Sequence, residues 1–251
     1  MAGSQTPGDA RTPNLIEVRR LSTLPEFSEA VRLQQSIWGF ADTELVPRSF
    51  FVLSREIGGQ VFGAFLAGEM VGFCVSLPGI KPDGHPYLHS HMLGVLPAHR
   101  DCGAGHLLKL EQRSDALARG IDLIEWTFDP LEVKNAYFNI KRLGVIVRRY
   151  IEDLYGPSSS PLWGGLPSDR CVAEWWIRSG SGEVSRPAAA IEERIAVPAA
   201  IHQIRERDPA QARQIQLANA ARFRSCFKKG LVVIGFESGE TEGVYLLGRW
   251  P

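Results

Sequence analysis

Between Leu24 and Trp38 apolar side chains recur at Phe27, Ala30, Val31, Leu33, Ile37 and Trp38. That spacing predicts a helix rather than an alternating strand. Residues 61–66 and 70–77 are short runs rich in β-branched and aromatic residues, joined by Ala67-Gly68-Glu69, and they predict a hairpin. A loop carrying Gly79, Pro82, Gly84 and Pro86 precedes a third predicted strand at 87–95. Leu107, Leu108, Leu110, Ala116, Leu117 and Ala118 then form an apolar stripe on a helix from about 103 to 119, closed by Gly120. A strand at 121–128, a helix at 132–143 stopped by Gly144, and strands at 145–155 and 171–177 follow. The order is three antiparallel strands, helix, strand, helix, strand.

The run 179–190 is small, charged and punctuated by Gly180, Gly182 and Pro187, and it reads as a linker. Beyond it the pattern predicts a strand at 191–197, one or two helices through 199–228, and strands at 231–236 and 243–247. Asp208-Pro209-Ala210 has the form of a helix start, an N-cap followed by proline at the first helical position. About sixty residues make a marginal domain alone. The organisation expected is a disordered tail 1–13, a core 14–178, a linker 179–190, and a C-terminal α+β extension 191–251 packed on the core, extending its sheet or covering its edge. No internal repeat is present.

Lys plus Arg and Asp plus Glu both number 28 in the 251 residues, so no net charge favours nucleic acid or an acidic membrane surface. Cys74, Cys102, Cys171 and Cys226 are scattered without a Cys-x-x-Cys pair, which argues against a metal site and suits a reducing compartment. No stretch has the length of a membrane span, and residues 1–13 lack the apolar centre of a signal peptide. A cytoplasmic protein is expected. A homodimer is compatible with the sequence.

Candidate chemistry centres on Val95-Leu96-Pro97-Ala98-His99-Arg100-Asp101-Cys102-Gly103-Ala104-Gly105, which runs from a predicted strand straight into a predicted helix. Glycines let the backbone approach a ligand closely, and a helix start offers unpaired N–H groups and a positive dipole end. A Walker A loop would end in Gly-Lys-Ser/Thr, but Gly105 is followed by His106 and Leu107. A dinucleotide fingerprint would place a small residue at Leu108. Two readings remain: a pyrophosphate cradle, or a plain glycine-rich turn. Cys102 lies in the loop, whose role needs its backbone rather than its sulfur.

The spelling Val-x-Pro-x-x-Arg-x-x-Gly-x-Gly, its place after three hairpin-connected strands, and the element order resemble the GNAT acyltransferase superfamily. The resemblance implies an α/β (α+β) fold with a mixed, mostly antiparallel sheet flanked by helices. It implies a CoA-dependent N-acyltransferase in which an amine attacks the thioester directly in a ternary complex, with acyl-CoA as co-substrate and no metal. The backbone of Leu93, Gly94 and Val95 would hold the thioester and pantetheine arm. Arg100, Asp101, Cys102, Gly103, Ala104, Gly105 and His106 would hold the pyrophosphate. His91 falls where such enzymes often carry a base, and an imidazole with pKa near ~6.5 can take a proton from an ammonium; His89 is the weaker candidate. The tyrosine expected four residues before Gly144 is replaced by Ile140, leaving Tyr137, one turn earlier, as the candidate acid. Asn135 and Asn139 could each bond the coenzyme or cap a helix end.

Ser90-His91-Met92-Leu93, Trp126-Thr127-Phe128-Asp129-Pro130, Asn135-Ala136-Tyr137 and Leu166-Pro167-Ser168-Asp169-Arg170, with Trp38-Gly39 and Leu45-Val46-Pro47 upstream, resemble a GNAT subgroup with members implicated in amino-acid N-succinylation. Either acetyl-CoA or succinyl-CoA is then the implied donor, and a small amine the acceptor. Arg170 would suit a carboxylate, and Asp42 and Glu44 an ammonium. Trp163, Trp175, Trp176 and Trp250 read as core or interface aromatics. The rivals are a non-catalytic acyl-CoA-binding module, favoured by the missing tyrosine, and a dinucleotide oxidoreductase, which lacks its third glycine.

Overall fold

The computed structural model describes residues 15–161, 164–177 and 190–250. Most of the expected linker and Trp163 lie outside them. Among the described residues ten strands form one sheet in the order β1-β2-β3-β4-β5-β7-β6-β9-β10-β8. The strands are β1 Glu17–Arg20, β2 Gln60–Leu66, β3 Glu69–Ile80, β4 Pro86–Val95, β5 Leu123–Phe128, β6 Ile146–Ile151, β7 Arg170–Trp176, β8 Glu193–Pro198, β9 Val232–Ser238 and β10 Glu242–Gly248. All neighbours are antiparallel except β4 and β5. The β2–β3 hairpin turns on Ala67 and Gly68, both at positive φ, the geometry that matches strand twist.

Helices α1 Leu24–Trp38 and α2 Arg48–Glu56 cover one face of the sheet, and α3 Ala104–Ala118 the other. The alternation of β2 records this division. Val61 and Phe65 join the cluster of Phe27, Leu33 and Phe51, whereas Phe62 and Ala64 join that of Ala104 and Leu108. Helix α1 starts on a capping box in which Thr23 and Glu26 each satisfy the other's backbone N–H, and it ends on Gly39 in the left-handed region.

Two elements escape the hydrophobic pattern. Strand β1 reads Glu-Val-Arg-Arg and is exposed along most of its length, so an edge strand leaves little alternation to detect. Helix α2 follows Pro47 and buries only Phe51 and Ser54, the serine donating to the carbonyl of Ser76 at 2.7 Å. The stripe expected on α3 is also turned. Leu107 and Leu110 are exposed, while Leu108, Lys109, Gln112 and Ala116 are buried. Polar side chains occupy the inner face because a buried hydrogen-bonded network receives them.

After β5, α4 Val133–Ala136 runs into a π-helical turn, Tyr137–Arg142, where Leu143 donates five residues back to Phe138 at 3.0 Å. Beyond residue 190 come α5 Ile201–Arg207 and α6 Pro209–Lys228, the latter capped by Asp208, which accepts from the Gln211 N–H at 2.9 Å. Strands β8–β10 join the same sheet through Val147 of β6 opposite Val233 of β9. One apolar cluster runs from Ile124 and Ala173 to Phe223 and Tyr245. The Tyr245 hydroxyl reaches the Pro130 carbonyl at 2.7 Å, and Arg205 of α5 binds Asp129 at 2.8 Å and Glu132 at 2.7 Å. The C-terminal segment thus grips the turn that starts α4.

Candidate active site

The parallel strands β4 and β5 share only Leu88 opposite Ile124 and His89 opposite Glu125. From Ser90 to Val95, β4 stays paired with β3 on one side, with a register shift between Ser90 and Met92, and its other edge is left unpaired among the described residues. A free edge in the middle of a sheet is a row of donors and acceptors awaiting a partner. After this opening a 3-10 turn at Pro97–His99 leads through Arg100 in the extended region, Asp101 at φ +64° and Gly103 at φ +89° into α3. Alternating backbone signs aim successive N–H groups into one concavity, and no side chain caps the start of α3. The Cys102 thiol turns back to the His99 carbonyl at 2.7 Å, leaving the loop's role to its backbone.

Along α3, His106, Lys109 and Gln112 stand three residues apart, and two of their buried atoms, His106 Nδ1 and Gln112 Nε2, have no hydrogen-bond partner. Orphaned buried polar atoms are costly and call for an explanation. Opposite them, Phe138 meets His106 edge-on with ring centroids 6.3 Å apart, and Asn139 accepts from the Trp126 indole N–H at 3.2 Å. A ligand with hydrogen-bonding groups and an anionic end at the loop would fit these orphaned atoms and the uncapped helix start.

No protein-family model matches the chain, and no curated protein matches it significantly. Solved structures do. The Escherichia coli ribosomal-protein-S18-alanine N-acetyltransferase is similar at 13% identity and TM-score 0.52, over 66% of this chain and 97% of that one. A GNAT-family acetyltransferase from Streptococcus pneumoniae is similar at 16% identity and TM-score 0.51, over 65% and 100%. A Salmonella typhimurium protein solved with acetyl-CoA as its cofactor is similar at 13% identity and TM-score 0.53, over 67% and 98%. The chain has the GNAT fold. These three neighbours align almost entirely onto about two thirds of it.

Within that GNAT fold the remaining sequence candidates fall on both sides of the opening. His91 is the bulged residue of β4: Ser76 faces Ser90 and the next residue, Val75, faces Met92. The extra residue of this bulge is His91 itself. Its ring packs 5.2 Å from that of Phe50 and 6.2 Å from that of His89. Burial pushes the pKa of both imidazoles down, that of His89 to about 4, because the charged form loses its hydration. Both are neutral at pH 7. Gly94 serves packing as well, since a Cβ there would stand 2.6 Å from the Trp38 ring.

Leu93 and Val95 flank the first turn of α3, where a Cβ on Gly105 would make ordinary contacts with them at 3.6 and 3.8 Å. Arg100 is exposed and reaches the Ile37 carbonyl at 3.5 Å. Asn135 of α4 is exposed while Asn139 of the π-helical turn is buried. Tyr137 and Ile140 do not share a face: Tyr137 is 39% exposed and Ile140 fully buried. The π-turn adds a residue per turn and rotates the two apart.

On the far side of β4 and β5, the segment between β6 and β7 crosses to the α1–α2 loop. Glu44 accepts from the Ser158 hydroxyl at 2.7 Å and the Ser159 N–H at 2.5 Å, and Ser160 donates to the Trp38 carbonyl at 2.6 Å. These bonds, the Ser158 hydroxyl first, hold the Glu44 carboxyl below its usual range. Glu44 is therefore a clasp between two loops, with both oxygens engaged, whereas Asp42 accepts from Gln35 through one oxygen at 2.7 Å. Arg170 is buried; it donates to the Asp169 carbonyl at 2.9 Å and lies 5.5 Å from the Tyr155 ring centre. Tyr155 and Thr127 of β5 share a hydrogen bond at 2.9 Å. Glu125, beside His89, binds Lys81 at 2.5 Å and Arg149 at 3.1 Å, giving that floor two cations for one carboxylate.

The sequence missed Lys109, Trp126, Glu125 and Arg149 as members of this region. A lysine on an amphipathic helix ordinarily reads as solvated, and only the turned face of α3 brings Lys109 inside. No cluster of metal-ligating side chains occurs among the described residues, and no helix among them is long and apolar enough to cross a membrane.

Proposed function

We propose that this protein is a CoA-dependent N-acyltransferase that moves an acetyl or succinyl group from acyl-CoA to a small amine by direct attack in a ternary complex. The observation that carries the proposal is the parting of β4 and β5 after two residue pairs, directly beside an uncapped helix start and its glycine loop. Acyl-CoA supplies a thioester as the electrophile. Its pyrophosphate sits against the N–H groups of Asp101 to His106, with Arg100 at the rim and Asn135 across the opening. Charge-assisted bonds of this kind contribute roughly 1.5–3 kcal/mol each, so affinity rests mainly on backbone. The free edge at Leu93, Gly94 and Val95 bonds the pantetheine amides and the thioester oxygen.

The acceptor amine enters from the α1–α2 side, where His91 is neutral at physiological pH and able to take its proton. Asp42 is the carboxylate at that entrance with an oxygen to spare for an ammonium. Arg170 and Arg149 are the cations able to hold a carboxylate on acceptor or donor. Calorimetric titration with CoA, acetyl-CoA and succinyl-CoA tests the reading. Micromolar binding with a preference between the two acyl donors supports it, and absence of binding to all three refutes it. The second reading, an acyl-CoA-binding module without turnover, is favoured by the burial of Ile140 where a proton-donating tyrosine would stand. Tight CoA binding with no transfer to a broad panel of amines would support that reading.

A further inference from the structure

Lys109 is 3% exposed, yet no carboxylate lies within ion-pairing distance of its amine among the described residues. Nζ donates to Ser90 Oγ at 2.9 Å and stands 3.6 Å from the centre of the Trp126 ring. Ser90 is the first residue of β4 beyond its pairing with β5, and Trp126 occupies the equivalent place on β5. The amine therefore bridges the two strands at the apex of the opening. A buried lysine without a counter-ion is expensive to keep charged, so its retention at that point calls for a use.

Resting on the acyltransferase reading, we propose that Lys109 is the proton donor to the sulfur that leaves acyl-CoA. The acceptor nitrogen forms its bond to the acyl carbon, the carbon–sulfur bond breaks, and its electron pair goes to sulfur. The Nζ–H proton then passes to that thiolate, leaving a neutral amine. The proton that His91 removes from the acceptor returns to Lys109 through solvent, so the cycle balances. A thiolate in a cleft with little water needs such a partner. Tyr137, the alternative donor, is 39% exposed to solvent.

The other groups facing Lys109 do not compete for the proton. Cys74 of β3 is a buried thiol pushed up to about 12, and His89 of β4 is pushed down to about 4. Gln112 on its own helix accepts from Ser90 and is neutral, and Trp126 and Asn139 carry no charge. Burial lowers the Lys109 amine to about 7, below an ordinary thiol near ~8.5, so proton transfer to sulfur runs downhill.

The test needs no acceptor. The thiol of CoA bound to the full-length protein is titrated by the ultraviolet absorbance of its thiolate, in wild type, Lys109→Met and Lys109→Arg, with desulfo-CoA as the blank. A permanent cation beside the thiol in Lys109→Arg should lower the bound thiol's pKa by roughly one unit or more. Wild type should give a smaller shift because its amine loses its proton in the same range, and Lys109→Met should abolish the shift while CoA still binds. On whichever amine from a panel of amino acids serves as acceptor, Lys109→Arg should lose about 10²-fold in kcat with KM for acetyl-CoA unchanged. It should also lose the fall in rate above neutral pH. A bound thiol that titrates as in water in Lys109→Arg, or a Lys109→Met protein matching Lys109→Arg, overturns the proposal. If Lys109→Met fails to fold, the arginine variant decides alone, since full turnover by Lys109→Arg overturns the assignment. Failure of wild type to bind CoA at all would refute the acyltransferase reading itself, an outcome distinct from normal CoA binding with an unshifted thiol.

Discussion

His91 interrupts the register of β4 and sets its imidazole 6.2 Å from that of His89, with both rings held neutral by burial. A neutral imidazole beside a free strand edge can accept a proton. His91→Ala should lower turnover by about 10²-fold or more with little change in CoA affinity. Steady-state kinetics beside calorimetry measure both quantities, and unchanged turnover would remove His91 from the reaction.

The same burial makes a statement about acid stability. His89 titrates near 4 when folded, against about 6.5 unfolded. The unfolded chain therefore binds the extra proton between those values, and the stability contributed by neutral His89 is complete above about 6.5 and is lost as pH falls towards 4. In His89→Phe that dependence should vanish. Urea unfolding of both proteins at pH 4.5 and 7 checks it, and equal slopes would mean that His89 keeps its ordinary pKa.

Gly103 adopts φ +89° at the N-cap of α3, and a Cβ there would meet nothing within 4 Å. The position is open towards whatever the loop holds, so a branched side chain would occupy ligand space while also straining the backbone by about 1–3 kcal/mol. Gly103→Val is expected to weaken CoA binding at least tenfold while the far-ultraviolet circular dichroism stays native. Normal CoA affinity in this variant would sink the loop's assignment as a pyrophosphate cradle.

Much of this architecture was legible because the elements around the opening carry strong local signals. The Ala67-Gly68 turn, the glycine loop and the stops at Gly120 and Gly144 each mark a boundary by backbone chemistry that few other residues can supply. What stayed hidden depends on neighbours. Strand β1 exists because β2 offers it an edge, and α2 buries so little apolar surface that only its packing on Phe27 and Phe73 reveals it. Lys109 was invisible for a sharper reason: helical periodicity places leucines inward, and nothing in the sequence says that Ser90, Gln60 and Gln112 build a polar network able to receive a lysine. The clasp made by Glu44 belongs to the same class, since Ser158 and Ser159 lie more than a hundred residues away.

Arg205, with 3% of its side chain exposed, is the cation that Asp129 and Glu132 share at the start of α4. Truncating it leaves two carboxylates facing each other in a water-poor turn, and breaking a buried pair costs about 3–5 kcal/mol. Arg205→Met should lower the unfolding midpoint by several degrees. If the C-terminal segment holds α4 in place, the variant should also raise KM for acetyl-CoA more than it lowers kcat. An unchanged midpoint would show that the turn is held by Tyr245 and its neighbours without this cluster.

Lys109 also predicts an alkaline effect that needs no ligand. Its folded pKa of about 7 lies below the ordinary lysine value near ~10.4, so between these values the unfolded chain binds a proton that the native chain does not. Stability should therefore rise with pH across this window, by at most about 1.4 kcal/mol per unit from this group. Lys109→Met removes the titration and should show a flatter dependence, while being the more stable protein near neutral pH because no ammonium has to be buried. Guanidinium unfolding at pH 7 and 9 distinguishes the outcomes. Parallel pH dependences in the two proteins would place Lys109 in water rather than at the apex between β4 and β5.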